Sequence, residues 1–176
     1  MEQVVSFFRE LVWLTTASII GASVLFGCLY MVMSIHLIMW RKAAVHYGTG
    51  FRAQNNPSKL FGAAAIAERG IRWGMHSNRR QNVYPPIRVS VLPSGIGLAI
   101  MKPFDIGSPK LFLPFEEMHL VSTKWALWGD PVAIRMEKLG EIDIILYREA
   151  MEWAAEHSPR IAAMMVTAAP PGQMAS

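Results

Sequence analysis

The sequence predicts a single transmembrane α-helix followed by a small α+β domain, a bent antiparallel sheet closed by a C-terminal helix. Three observations predict it. Residues 11–40, LVWLTTASIIGASVLFGCLYMVMSIHLIMW, carry no Asp, Glu, Lys or Arg and only one histidine, His36. Residues 87–146 fall into short runs of alternating apolar and polar residues, separated by Pro- and Gly-containing turns. Residues 147–156, YREAMEWAAE, then place apolar side chains at helical spacing.

Residues 1–10 read as a short amphipathic lead-in, with Phe7 and Phe8 placed to rest at an interface. The apolar run is framed by Arg9 and Glu10 on one side and Arg41 and Lys42 on the other. A hydrocarbon core about 30 Å thick needs roughly 20 apolar residues of helix. A lone span has no other way to satisfy its peptide groups. Trp13, Tyr30 and Trp40 fit an aromatic belt. Three small-residue pairs stand four apart, Ala17 with Gly21, Ser18 with Ala22 and Ser23 with Gly27, a spacing that lets two helices approach closely. The run is too long for the apolar core of a cleaved signal peptide, and no small-x-small site ends it. Leu25-Phe26-Gly27-Cys28 resembles a lipobox only loosely, because Phe26 is bulky. Cys28 is the single cysteine, which leaves no internal disulfide and no Cys-rich metal site. Basic residues are denser after the run than before it, which predicts an N-terminus outside and a cytoplasmic C-terminal domain on the inner (cell) membrane.

Residues 41–84 read as a basic juxtamembrane connector. Between residues 41 and 88 there are nine Lys or Arg and one acid, Glu68, whereas residues 89–176 hold seven basic and ten acidic residues. The net charge of +4 therefore belongs to the connector and points away from nucleic acid. Arg41, Lys42, Arg52, Arg69, Arg72, Arg79 and Arg80 fit attraction to an anionic membrane surface, and fit topology setting equally well. Within the connector, Leu60, Ala64, Ala67 and Ile71 share one face of a possible amphipathic helix over 58–73, following an Asn56 cap and Pro57.

The β-rich domain is expected over residues 85–157. Residues 87–92 alternate as a half-buried strand, Pro93-Ser94-Gly95 turns, and residues 96–101 return as the partner strand. Residues 102–110 read as a loop. Residues 111–115 form a short strand whose Pro114 argues for an edge or a bulge. Further strands are expected within 118–128, at 132–137 and at 141–146, the last two joined by a Leu139-Gly140 turn. Asp143 is expected to be exposed by alternation. A helix follows over 147–156, residues 158–167 can continue helically after Pro159, and residues 158–176 form a partly disordered tail.

Meandering short strands, the segment Leu111-Phe-Leu-Pro-Phe-Glu-Glu117, a further hairpin and a closing helix bearing Trp153 resemble small pleckstrin-homology-like and GRAM-like β domains tethered to membranes. The resemblance covers residues 86–156 and implies a module that binds lipid or protein. It identifies no site residue.

No catalytic constellation is legible. The histidines, at 36, 46, 76, 119 and 157, form no HExxH pair, so no zinc site is readable. Glu116, Glu117 and His119 are the densest titratable cluster, a pattern that more often blunts a strand edge than does chemistry. Neither Gly95-x-Gly97 nor Gly48-x-Gly50 stands in a nucleotide-loop context. The expectation is a non-catalytic single-pass membrane protein whose β domain binds a protein partner, as an accessory or scaffold subunit. A lipid-binding module and a membrane-bound enzyme are the alternatives. Expected partners are membrane lipid and an integral membrane protein, with oligomerisation possible and with no nucleic acid, cofactor or metal.

Overall fold

The structure, a computed structural model, describes residues 2–50, 55–70, 80–84, 86–105, 107–124 and 130–168, with the side chains of residues 12–28, 30–31 and those from 37 onward. The elements in chain order are α1 (Glu2–His36), α2 (Ile38–Tyr47), β1 (Gly48–Thr49), β2 (Ser58–Phe61), β3 (Ala64–Glu68), β4 (Gln81–Tyr84), β5 (Ile87–Leu92) and β6 (Gly95–Ile100). They continue with β7 (Lys110–Pro114), β8 (Met118–Ser122), β9 (Pro131–Met136), β10 (Ile142–Tyr147), α3 (Arg148–Glu156) and α4 (Pro159–Ala168). The chain divides into two units, residues 1–35 and residues 36–176.

The expected transmembrane helix over residues 11–40, and the single-pass inner-membrane placement drawn from it, are corrected. Among the described residues, no helix is long and apolar enough to cross a membrane. The apolar run is divided between two different jobs. Helix α1 stops at His36, and Leu37 lies at φ −88°, ψ 1° between α1 and α2. Leu37, Met39 and Trp40, which the sequence assigned to the span, are core residues of the second unit, 0–2% exposed. The described part of α1 also carries Thr15, Thr16, Ser18 and Ser23, whose hydroxyls donate back to carbonyls of their own helix. Apolarity alone could not tell a span from a core helix here, because both solvents of the side chain are water-free.

The β unit is two five-stranded antiparallel sheets. The first runs β1-β7-β6-β5-β2, the second β4-β3-β10-β9-β8. The β5–β6 hairpin matches expectation, with Ile87, Val89 and Val91 facing the core and Arg88 and Ser90 facing away. In the second sheet Leu120, Ile134, Ile144 and Ile66 lie in one register row across β8, β9, β10 and β3. These rows, α2, α3 and α4 meet in a single apolar core. Each fully buried Ile or Leu there contributes about 1.5–3 kcal/mol through area removed from water. Helix α2 contributes Met39, Trp40, Ala43 and Tyr47, one face at helical spacing. The closing helix is as expected: α3 buries Ala150, Met151 and Ala154, and the Trp153 ring rests 5.4 Å from that of Phe61.

Two boundary expectations are overturned. The domain begins at residue 36 rather than 85, so most of the described connector is part of the sandwich. The amphipathic helix over 58–73 is absent as far as residue 70, where β2 and β3 stand instead. The i, i+4, i+7 pattern was a coincidence of an alanine-rich segment: Ala64, Ala65, Ile66 and Ala67 are all buried because β3 is a central strand covered on both faces. Residues 71–73, the last part of that expectation, lie outside the described residues, as does the tail from 169. Pro114 is at the end of β7, beyond the two residues of β1 that pair with Lys110 and Leu111, so its missing N–H costs the ladder nothing. The Leu139-Gly140 turn holds, with Gly140 at φ 59°, ψ −112°, a conformation that a side chain would strain.

Asp143 is corrected from exposed to buried, at 6% exposure. It does face away from the main core, as alternation requires. There it sits beside a second small apolar cluster of Ala65, Ala67, Ala133 and Ile145, with Arg135 at 3.3 Å and Arg69 at 3.6 Å.

Candidate functional site

The helix-packing residues predicted on α1 (Ala17, Ser18, Gly21, Ala22, Ser23 and Gly27) are all exposed, and space within 4 Å of a Cβ on Gly21 or Gly27 is open. Of the predicted membrane-surface cations, four lie among the described residues. Arg41 and Lys42 are exposed on α2. Arg69 is tied to Asp143 and to the Gly140 carbonyl, and Arg80 lies 3.7 Å from Glu68. Arg52, Arg72 and Arg79 lie outside the described residues.

The Glu116, Glu117 and His119 cluster resolves into separate structural contacts. Glu116 pairs with Arg160 of α4 at 3.2 Å. His119 is exposed on β8, opposite Arg135. Glu117 accepts from the Tyr47 hydroxyl at 2.5 Å and from Lys138 Nζ at 2.7 Å, while the Lys138 backbone N–H donates to the Tyr47 hydroxyl at 3.2 Å. This knot fastens the end of α2 to the 3-10 turns Phe115–Glu117 and Glu137–Leu139. Burial first, and then the Glu117 carboxylate, push the Tyr47 hydroxyl up to about 12. Hydrogen bonds from Lys138 and Tyr47 hold Glu117 below the usual carboxylate range.

The knot gives stability a pH dependence of definite sign. Tyr47 titrates higher when folded, so its contribution is full below its ordinary value of 10 and is lost as pH rises toward about 12. Glu117 titrates lower when folded, so its contribution is full above the unfolded carboxylate value and fades as pH falls through the folded one. Tyr47→Phe is expected to cost about 0.5–1.5 kcal/mol at neutral pH. It is also expected to flatten the loss of stability between pH 10 and 12. Urea unfolding across that range measures both.

Among the described residues, no group of three His, Cys, Asp or Glu side chains is placed to hold a metal ion. The polar side chains that do converge lie elsewhere, on the outer face of the first sheet. There Leu60 of β2, Arg88 of β5 and Ala99 of β6 form one register row, and Ser90 lies opposite Gly97 in the next hydrogen-bonded pair. The loop after β6 rises beside that row. It is shaped by Phe104 N–H donating to the Met101 carbonyl at 3.0 Å and Ser108 N–H to the Asp105 carbonyl at 2.6 Å. Between sheet and loop is a cleft of about 400 Å³, lined on its polar side by Arg88, Lys102, Lys110, Asp105, Ser90 and Ser108. Ser90 is 2% exposed, and the Ser108 Oγ is buried with no hydrogen-bond partner. The loop's far end is pinned from the core side. Trp40 Nε1 donates to the Pro109 carbonyl at 2.8 Å, and a second, open hollow bounded by Ala44, Gly48, Thr49 and Gly50 lies against the same Ser108–Lys110 segment.

Among the described residues, three cations stand against one carboxylate in this cleft, and the lining holds no imidazole or thiol. Such a donor set suits a negatively charged group. None of the predicted site residues that are described lines it. One signal was available in the sequence, since alternation over residues 87–92 sends Arg88 and Ser90 to the solvent face. Their union with Lys102, Lys110 and Leu60 depends on the β5–β6 and β2–β5 registers, which alternation does not supply. Compared with family models, curated proteins and solved structures, the chain matches none.

Proposed function

We propose that this chain is a non-catalytic binding module, an accessory or scaffold component that holds an acidic protein partner on the outer face of its first sheet. The cleft carries the reading: a roughly 400 Å³ hollow with Arg88, Lys102 and Lys110 against Asp105, and with Leu60 exposed at its side. Cations around an apolar floor suit the rim and centre of a protein interface. Helix α1 adds a second support. Its Trp13, Leu14, Ile19, Leu25 and Phe26 are 67–70% exposed, an apolar surface of the kind that marks membership in a larger assembly. The likeness to pleckstrin-homology-like modules carries the same implication of binding rather than catalysis.

The test is site-specific photo-cross-linking of the full chain, with p-benzoylphenylalanine at Ala99 in the cleft and, separately, at His119 on β8. The expected result is one adduct from Ala99 and none from His119. The captured protein, once purified, binds the chain with an affinity that falls as salt rises. Adducts from His119 alone, or binding indifferent to salt, would refute the proposal.

A further inference from the structure

One wall of the cleft is Leu60, a residue of the terminal strand β2. Among the described residues, strand β2 is the last strand of the first sheet, with β5 paired on one side. The hydrogen-bond phase of that pairing is fixed by Val91 N–H donating to the Pro57 carbonyl at 2.9 Å. In an antiparallel ladder, hydrogen-bonded and non-bonded pairs alternate. Because Pro57 opposite Val91 is a bonded pair, Lys59 opposite Val89 and Phe61 opposite Ile87 are bonded pairs too. Ser58 and Leu60 are then the non-bonded positions, and their backbone N–H and C=O groups point away from β5, toward the side on which no strand pairs among the described residues. Ser58, Lys59 and Leu60 are all exposed, Leu60 at 43%.

An edge of this kind is usually guarded by a lysine or a bulge. β2 does carry Lys59. Its ammonium, however, lies 5.2 Å from the Phe61 ring centroid, on the side chain's own face of the strand. The same alternation puts the Leu60 side chain on the outer face beside Arg88, inside the cleft lining. One residue therefore supplies both an outward peptide group and a wall of the cationic cleft.

We infer that the acidic partner binds by strand addition: an extended segment of it pairs with the β2 edge through the Ser58 and Leu60 peptide groups and lays an anionic side chain in the cleft against Arg88 and Lys102. The inference rests on the proposed partner binding and specifies its geometry. Main-chain bonds supply affinity, and alternate side chains meeting the cleft supply selectivity. The charge balance of the cleft chooses an acidic segment over a basic one.

The probe is a Thr-Glu alternating hexapeptide, with a Thr-Lys counterpart, titrated into the full chain while amide exchange is followed by NMR. The expected result is at least tenfold slower exchange at Ser58 and Leu60 with the Thr-Glu peptide alone. Leu60→Pro removes the outward N–H while leaving every β2–β5 hydrogen bond in place. It is expected to abolish binding without moving the thermal midpoint by more than a few degrees. Leu60→Ala keeps the N–H and is expected to retain binding. Arg88→Gln is expected to weaken it at least tenfold. Peptide binding that depends on Arg88 but leaves Ser58 and Leu60 exchange unchanged overturns strand addition and leaves the cleft reading intact. Binding that ignores Arg88, or no binding, overturns both. A doubled mass with β2 protected in the free chain assigns the edge to a second copy and likewise overturns the inference.

Discussion

Trp40→Ala is expected to destabilise the β unit by about 3–5 kcal/mol, the range for emptying a large buried aromatic site. Trp40 is 1% exposed, meets Tyr84 edge-on with ring centroids 5.2 Å apart, and sits between α2 and the strands. Its removal opens a cavity that rigid β neighbours cannot collapse into. The indole does a second thing, since Nε1 holds the Pro109 carbonyl and so fixes the segment that carries Ser108 and Lys110. Trp40→Phe separates the two roles. It keeps most of the packing and is expected to cost about 1–3 kcal/mol, including the Pro109 carbonyl left without its donor. Denaturant unfolding gives the stabilities. Partner affinity gives the loop effect, which is expected to fall in Trp40→Phe even where the fold is intact. An unchanged affinity in that variant would separate the loop's position from the core.

Gly95→Ala is expected to destabilise the first sheet by about 1–3 kcal/mol or more. A Cβ there would lie 2.3 Å from the Leu113 carbonyl oxygen and 2.8 Å from Phe112 Cε2. The aromatic carbon can move; the carbonyl belongs to the β7 backbone and cannot without breaking register. Gly95 lies opposite Pro114, and the next amide along, Phe115 N–H, donates to the Ser94 carbonyl at 3.0 Å. Pushing β7 away therefore loosens the start of the turn that carries Glu117 and its hold on Tyr47. Gly62→Ala is the control: nothing lies within 4 Å of its added carbon, and its effect is expected to stay under about 1 kcal/mol. Comparable thermal midpoints for the two variants would contradict the clash.

Residues 85–168 were largely legible in the sequence because their physics is local. Alternation located β5 and β9, turn residues placed β6 and β10 as their partners, and the spacing of Ala150, Trp153 and Ala154 located α3. Residues 11–84 were not, because there different environments share one composition. Leu37, Met39 and Trp40 are apolar for a core, not a bilayer. Ala64 to Ala67 are apolar because β3 is covered on both faces, and their spacing imitates a helix. Asp143 kept the face that alternation gave it, yet its burial came from Arg69, 74 positions earlier in the chain, and from Arg135 across the ladder. The site was hidden for the same reason. Its residues come from β2, β5, β6 and the following loop, and only strand register brings them together.

The most direct measurement is the affinity of the purified partner for the full chain carrying Arg88→Glu, compared with Lys42→Glu. Both variants change charge by the same amount at exposed positions, but only Arg88 lines the cleft. A loss of affinity of at least tenfold is expected for Arg88→Glu, and no change for Lys42→Glu. Equal losses in both, or a loss confined to Lys42→Glu, would contradict a partner site on the first sheet.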